Sequence, residues 1–524
     1  MNNAWIGNLL HSRARIDNTK EVLIDLDANQ GYTYGMLDER ANRLADLLRN
    51  KYHVAKGDRV AMVSRNRIEM VDAFYATAKV GAILVPYNAR LSANELTRLI
   101  EKETPKVLFF EDLFESHIKL IEQTGIVEHL VILKNNEDPS EYPDYDSETK
   151  DRSTAMITCP ELELEDIHLI IHTGGTTGLP KGGLVSHRNL LFNSFNEICT
   201  WGLSHDDSTL LLLPMFHTGG WNLLTLPLLH VGGTLYINRQ FDPQTTLEMV
   251  HQKKINLLFG AATIFRMMVE QPEFSETDFS EVKWVMAGAA PTPINIMEQF
   301  WDKGVKFVLG YGMTEAGPNN LSPAVHFLDM DMVKDKYASV GRPMYMTMVK
   351  LVDEADQVIT EPHVPGEILW SGPQIFSGYW DNEAETDEVM LDGWVRSGDM
   401  ATFDEDGFFY IVGRKKNMFI SGGENVFPPE IESALYEIEA IRECCVFGVP
   451  DDKWGEVGKA VISLKPGQTI TQEEIKSQLG SKLSRYKIPK YYQLVEDIPK
   501  NNVGKIVVSE VIKRYGDTKE QADR

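Results

Sequence analysis

Short apolar runs alternate with helix-period stretches along most of the chain, and this alternation limits the fold more than any other feature. "DRVAMVS" is followed by "RIEMVDAFYATAKVGA" and then "ILVPYN"; later, "VKWVMAGAA" leads into "PTPINIMEQFWDKG" and "VKFVLGYG". Parallel strands need a crossover, and a helix is its usual form. The pattern predicts an α/β fold of parallel-rich sheets covered by helices. From about Gly413 it changes to a compact α+β unit: helix "PPEIESALYEI", strands "CCVFGVP" and "KAVISLKP", helix "TQEEIKSQLGSKL". A boundary is expected at "GRKKN", residues 413–417, which divides an N-terminal domain, 1–413, from a C-terminal one, 414–524. The acidic, proline-containing stretch 135–153 reads as a surface linker between subdomains.

With 524 residues the chain has room for roughly three core-sized units. Its net charge of -25 argues against nucleic acid and anionic membranes as partners, since both require a basic face. A phosphate ligand would therefore need local lysines, arginines, backbone amides or a metal. Cys159, Cys199, Cys444 and Cys445 form no C-x-x-C pair and fit a reducing compartment. The segment "MNNAWIGNLLHSRARID" lacks the apolar core of a signal peptide, and no run reaches the roughly eighteen apolar residues of a membrane span. The expectation is a cytoplasmic protein with no transmembrane segment.

The stretch "HTGGTTGLPKGG", His172 to Gly183, is the most informative local feature. Its glycines let backbone N–H groups close round an anion, and its threonines add donors, so it reads as a phosphate loop. It is not G-x-x-x-x-G-K-[ST], because Lys181 lies between Pro180 and Gly182. The preceding "DIHLII" is a buried-strand candidate that would deliver the loop to a strand's carboxyl end, where ligands of such folds collect. His168 and His172 have the spacing of a helical zinc pair, but on a β-branched strand they lie about 13 Å apart. "GYGMTE" has Glu315 where a dinucleotide fingerprint needs its third glycine. No G-x-S-x-G elbow occurs, which argues against a serine hydrolase.

Six segments survive as an ordered set: "TGGTTGLPKG" (173–182), "GYGMTE" (310–315), "WVRSGD" (394–399), "GRKKN" (413–417), "SGGENVFPPEIE" (421–432) and "PKNNVGK" (499–505). Together they resemble the adenylate-forming superfamily of acyl-CoA synthetases, adenylation domains and luciferases. The resemblance covers nearly the whole chain and includes "GYTYGMLDERANRLADLL" near the N-terminus. It implies a large N-terminal domain with a distorted β-barrel subdomain, and a small mobile C-terminal domain that carries a catalytic lysine.

It also implies ATP, Mg²⁺ and coenzyme A as ligands, together with a small carboxylic acid. Lys505 would reach the acid's carboxylate and the adenylate phosphate. Thr173 and Glu315 would hold Mg²⁺. Gly174, Gly175, Thr176, Thr177, Gly178 and Lys181 would embrace pyrophosphate. Tyr311 would stack on adenine against Gly288, Ala289 and Ala290, with Gly312, Met313 and Thr314 alongside. Asp399 would take the ribose hydroxyls, with Arg414 beside it. Lys416 would be the hinge of a domain rotation that withdraws Lys505 and brings in Ser421, Gly422, Gly423 and Glu424 to line the coenzyme A path. His217 would sit where acyl carbon and thiol meet, with Trp221, Gly288, Gly310 and Gly317 in the acyl pocket. Asn417, Asn501 and Val508 depart from residues common in the family, and none of these departures removes a charge the chemistry requires.

The implied activity is an ATP-dependent acid–CoA ligase that forms an acyl-adenylate and then a thioester. Trp221 lies four residues after His217, the spacing of a tryptophan that gates the acyl tunnel in fatty-acyl relatives, so the expected acid is a medium- to long-chain fatty acid. Aryl acids of the benzoate or o-succinylbenzoate type are the alternative, as is loading of a carrier protein. A catalytically silent nucleotide-binding scaffold is the reading from another class. A homodimer is left open.

Overall fold

The computed structural model describes residues 3–136, 138–173, 179–288, 292–500 and 506–517. Runs of Val, Ile and Leu become strands buried on both faces, as helix-covered parallel sheets require. In the first sheet His129–Leu133, Val107–Glu111, Arg59–Val63, Ile83–Tyr87 and Ile167–Thr173 lie parallel in that order, and Lys181–Ser186 adds antiparallel at one edge. A second sheet runs Phe307–Leu309, Trp284–Gly288, Leu257–Ala261, Ser208–Leu210, Thr234–Ile237, Glu21–Asp25, Gln30–Thr33, with only the last pair antiparallel. The helix Ile68–Val80 is buried along its whole length, as expected of a helix apolar on nearly every side. Its charges are paired: Arg40 lies 2.6 Å from Asp72, and Lys79 lies 2.7 Å from Asp38.

Antiparallel strands follow. Val358–Ile359, Met348–Val352, Gly366–Ser371, Trp394–Phe403 and Met390–Leu391 form one sheet, to which Phe409–Arg414 adds along Trp394–Phe403. A bridge between Gly341 and Phe409 links it towards the small sheet Tyr311–Met313, Gly317–Ser322, Arg342–Pro343. Both share one core containing Ala316, Leu321, Leu351, Ile368 and Trp370, which corresponds to the expected barrel-like subdomain. Beyond Asn417 a separate sheet, Glu424–Val426, Phe419–Ser421, Gly455–Leu464, Ile441–Asp451, with Tyr491–Val495 against Gly455–Leu464, has its own core around Ile431, Leu435, Val446, Ile462 and Leu479.

The stretch 135–153 differs from the linker expected. It carries the helix Tyr145–Thr149, capped by the Asp144 side chain. The buried Tyr145 donates its hydroxyl to Asp72 Oδ2 at 2.8 Å, and the buried Tyr142 packs edge-on against Phe110. Two aromatics inside an acidic segment bury enough apolar surface to tie it down, an effect that overall charge does not report.

Three histidines lie beside the segment Trp5–Leu9, His168 and His187 buried and His230 partly so. His168 stacks on His187 with ring centroids 4.5 Å apart, its Nε2 lies 2.9 Å from the Phe74 carbonyl, and His230 Nδ1 lies 2.7 Å from Ser194 Oγ. Burial lowers His168 and His230 from 6.5 to about 4 and pushes His187 well below its ordinary value. Because these folded values lie below the unfolded one, the unfolded chain takes up protons first on acidification. Their stabilising contribution is present above pH 6.5 and is lost as pH falls towards 4. Glu432, raised to about 7 by burial, works in the opposite sense. The urea midpoint of unfolding should therefore fall between pH 6.5 and 4.5, and His187→Asn should flatten that slope by about one proton. An unchanged slope in the variant would contradict the assignment.

Candidate active site

The site is built on a strand pair. Ile167–Thr173 and Lys181–Ser186 run antiparallel with Thr173 opposite Lys181 and His172 opposite Gly182, so both ends of the glycine-rich loop are fixed by one register. Gly174, Gly175, Thr176, Thr177 and Gly178 lie outside the described residues. Beneath the loop His172 Nε2 is 2.7 Å from Glu103 Oε1, both residues are buried, and Tyr87 stacks on His172 with centroids 5.3 Å apart. His168 and His172 are engaged separately, as the strand reading expects, and no metal-binding group of three or more His, Cys, Asp or Glu occurs among the described residues.

Gly183 bridges to Tyr379, which carries the antiparallel subdomain to the loop. Tyr379 donates its hydroxyl to the buried Glu315 at 2.8 Å, and the Phe376 N–H donates to the Glu315 carbonyl at 3.0 Å. Lys181 Nζ sits 5.2 Å from the Tyr379 ring centre and 2.9 Å from Glu385 Oε1. Lys181 and Glu315, 134 positions apart in the chain, are thus held by one tyrosine. The sequence reading missed Tyr379 and Glu385. Tyr379 lies in an irregular segment between Gly378 and Trp380, where no periodicity marks it.

Tyr311, Asp399 and Arg414 also converge. Asp399 and Arg414 are directly opposed on paired strands, with Arg414 Nε 2.6 Å from Asp399 Oδ1, and the Tyr311 hydroxyl donates to Asp399 Oδ2. Burial and the neighbouring carboxylate hold the Tyr311 hydroxyl protonated, well above its ordinary range. Gly312 permits a close approach: a Cβ there would lie 2.4 Å from the Pro318 carbonyl, so any side chain would push apart the strands on which Tyr311 and Glu315 depend. Gly288 ends its strand with its Cβ direction 3.4 Å from the Gly310 carbonyl, which places these two expected acyl-pocket glycines together. Ala289 and Ala290 lie outside the described residues.

His217 occupies the N-cap position of the short helix Thr218–Asn222, and its side chain makes no capping hydrogen bond. Burial, followed by the charges of Arg90 and His172, lowers its pKa to about 4, so its imidazole is neutral at physiological pH. Trp221 is fully buried and stacks on Phe74 with centroids 4.7 Å apart and planes 21° from parallel. Near the C-terminal unit, Lys416 lies in the 3₁₀ turn Lys415–Asn417 that follows Arg414. Gly422 and Gly423, at φ 62° and 88°, form the hairpin turn between Phe419–Ser421 and Glu424–Val426, and they are exposed with Glu424. Lys505 and Asn501 lie outside the described residues.

The hard oxygen donors of Thr173 and Glu315 are of the kind Mg²⁺ accepts. What converges is an anchored loop with a lysine, a buried carboxylate, and an aspartate–arginine pair beside a tyrosine.

Comparison with known proteins places the chain in a family. The profile of the AMP-binding enzyme family matches residues 10–380, and that of the AMP-binding enzyme C-terminal domain matches residues 430–505. The chain is 36% identical over 484 residues to a feruloyl-CoA synthase of an Amycolatopsis species, covering 92% of this chain and 94% of the relative. It is 34% identical to a long-chain-fatty-acid–CoA ligase of Bacillus subtilis, covering 86% and 84%. The crystal structure of ATP-bound MatB from Rhodopseudomonas palustris superposes with a TM-score of 0.87 at 27% identity, over 98% of this chain and 99% of that one. The chain belongs to the AMP-binding enzyme family, and it is an AMP-forming acid–thiol ligase.

Proposed function

We propose that this ligase activates an aryl carboxylic acid, of the cinnamate or benzoate kind, and passes it to coenzyme A. The observation that carries the choice is Trp221. Its ring lies flat on Phe74 inside the main core, and we take it as a fixed wall behind His217 that suits a short, flat acid better than a flexible chain. The relative named feruloyl-CoA synthase supports the same reading. The fatty-acid expectation becomes the second reading. The B. subtilis relative is named for long-chain acids.

In the first half-reaction a carboxylate oxygen bonds to the α-phosphorus of ATP and pyrophosphate leaves. Two anions must meet, so positive charge is needed where negative charge develops. Lys181 would release Glu385 and take the departing phosphates, while Lys505 would bridge acid and adenylate. Asp399 would accept from the ribose hydroxyls, steadied by Arg414, and Tyr311 would pack on adenine. Thr173 and Glu315 would hold Mg²⁺, whose charge would lower the repulsion between phosphates and carboxylate. Tyr379 keeps the Glu315 carboxylate oriented for that purpose. In the second half-reaction the thiol sulfur bonds to the acyl carbon and the bond to AMP breaks. His217 offers a neutral imidazole there. The domain division at 413–417, rotation about Lys416 and entry of the Ser421–Glu424 turn complete the proposal. We place the reaction in the cytoplasm; among the described residues no helix is long and apolar enough to cross a membrane.

Three measurements test this reading. Lys505→Ala should cut adenylate formation by about a hundredfold or more while thioester formation from supplied acyl-AMP survives; equal losses in both steps would contradict the alternation of domains. Lys416→Pro fixes φ and should leave adenylation intact while slowing thioester release; unchanged overall turnover would remove Lys416 as the hinge. In a pyrophosphate-release panel from acetate to palmitate plus benzoates and cinnamates, an aryl acid should exceed every alkanoate by about tenfold in kcat/KM. A profile rising with alkyl length to a fatty-acid optimum would favour the second reading.

A further inference from the structure

Next to the expected acyl pocket, the helix His187–Trp201 turns an unusually polar face inward. Asn193, Ser194, Asn196 and Glu197 are all buried. A Cβ on Gly317, a pocket residue, would lie 3.2 Å from Asn193 Oδ1 and 3.0 Å from Gln374 Cγ. Asn193 donates to the Asn222 carbonyl at 2.7 Å, one residue beyond Trp221, and Asn320 donates to the Ala316 carbonyl at 2.6 Å. These side chains therefore border the segments 217–222 and 310–318, between which the acyl group is expected.

Their remaining atoms are unbalanced. Both carboxyl oxygens of Glu197, together with Asn193 Oδ1, Asn222 Oδ1, Asn320 Oδ1 and Gln374 Oε1, are buried without a hydrogen-bond donor. Burial pushes the Glu197 carboxyl well above its ordinary range; Asn193 approaches it, yet neither carboxyl oxygen completes a bond of good geometry. The neutral acid brings one proton to six acceptors. Two donors nearby, Asn319 Nδ2 and Trp221 Nε1, also lack partners. Leaving such groups unpaired is costly, each by about 1–3 kcal/mol, so the cluster calls for a partner that these side chains do not supply to one another.

We propose that Asn193, Glu197, Asn222, Asn320 and Gln374 form a subsite for a hydrogen-bond donor, a hydroxyl, on the end of the acid remote from its carboxylate. This rests on the aryl-acid reading above and narrows it to hydroxylated aryl acids. A hydroxyl both donates and accepts, so it can give its proton to one of the surplus oxygens and take one from an unpartnered N–H group. A second carboxylate brings only acceptors and a charge, and a methyl group brings neither donor nor acceptor. The site should therefore reject dicarboxylic acids and discriminate against unsubstituted rings.

The test compares kcat/KM for 4-hydroxycinnamate and cinnamate in the same enzyme preparation, because the ratio is independent of the folded fraction. It should be about tenfold or more in the wild type, since a site built to bond a hydroxyl rejects the analogue that lacks it. It should fall towards one in Glu197→Met, which keeps the side-chain length, and if that variant does not fold, Asn193→Leu reports on the same group. A wild-type ratio near one overturns the subsite while leaving the aryl reading intact if cinnamate still exceeds the alkanoates. An undiminished ratio in the variants overturns the assignment to these residues. If alkanoates exceed cinnamate, the aryl reading fails, and ω-hydroxyalkanoate against its parent alkanoate then judges the subsite by the same criterion.

Discussion

The functional geometry depends on the register between Ile167–Thr173 and Lys181–Ser186. That pairing sets Thr173 directly across from Lys181, and the bridge from Gly183 to Tyr379 brings the antiparallel subdomain against the same strand. A shift by one residue would turn every side chain to the opposite face. Lys181 would leave Tyr379, which also holds Glu315. His172, on the same strand, is held by Glu103 and Tyr87, and a slip would break those contacts.

In a chain of net charge -25 a site for anionic ligands needs local cations, and those at the candidate site rest on acids. Lys181 rests on Glu385 and Arg414 on Asp399. The Lys181–Glu385 pair is only partly buried, so exchanging its carboxylate for phosphate requires little desolvation. His217 is different. Burial lowers its pKa to about 4, so at neutral pH it adds no positive charge to compete for phosphate.

Much of this was legible in the sequence. The alternation of apolar runs and helix periods fixes the parallel sheets, and the glycine-rich segments mark where strands end in ligand loops. Glu315, Tyr311, Asp399 and Arg414 could be singled out because each sits in a short segment whose chemistry is local, and the structure brings them together. Tyr379 was not, because its role arises only when Gly183 pairs with it across nearly two hundred residues. The polar face of His187–Trp201 was missed for a similar reason: asparagines on a helix read as solvated until packing against Gly317 and Gln374 encloses them. Tyr142 and Tyr145 were hidden by the acids around them. Burial of individual residues, rather than segment composition, separates these cases.

The central claim is that one site first joins an acid to AMP and only then engages coenzyme A. Exchange of labelled pyrophosphate into ATP isolates that first step. The account predicts exchange that requires both the acid and Mg²⁺, proceeds without coenzyme A, and is lost in Glu315→Gln. Exchange that occurs only when coenzyme A is present would contradict it.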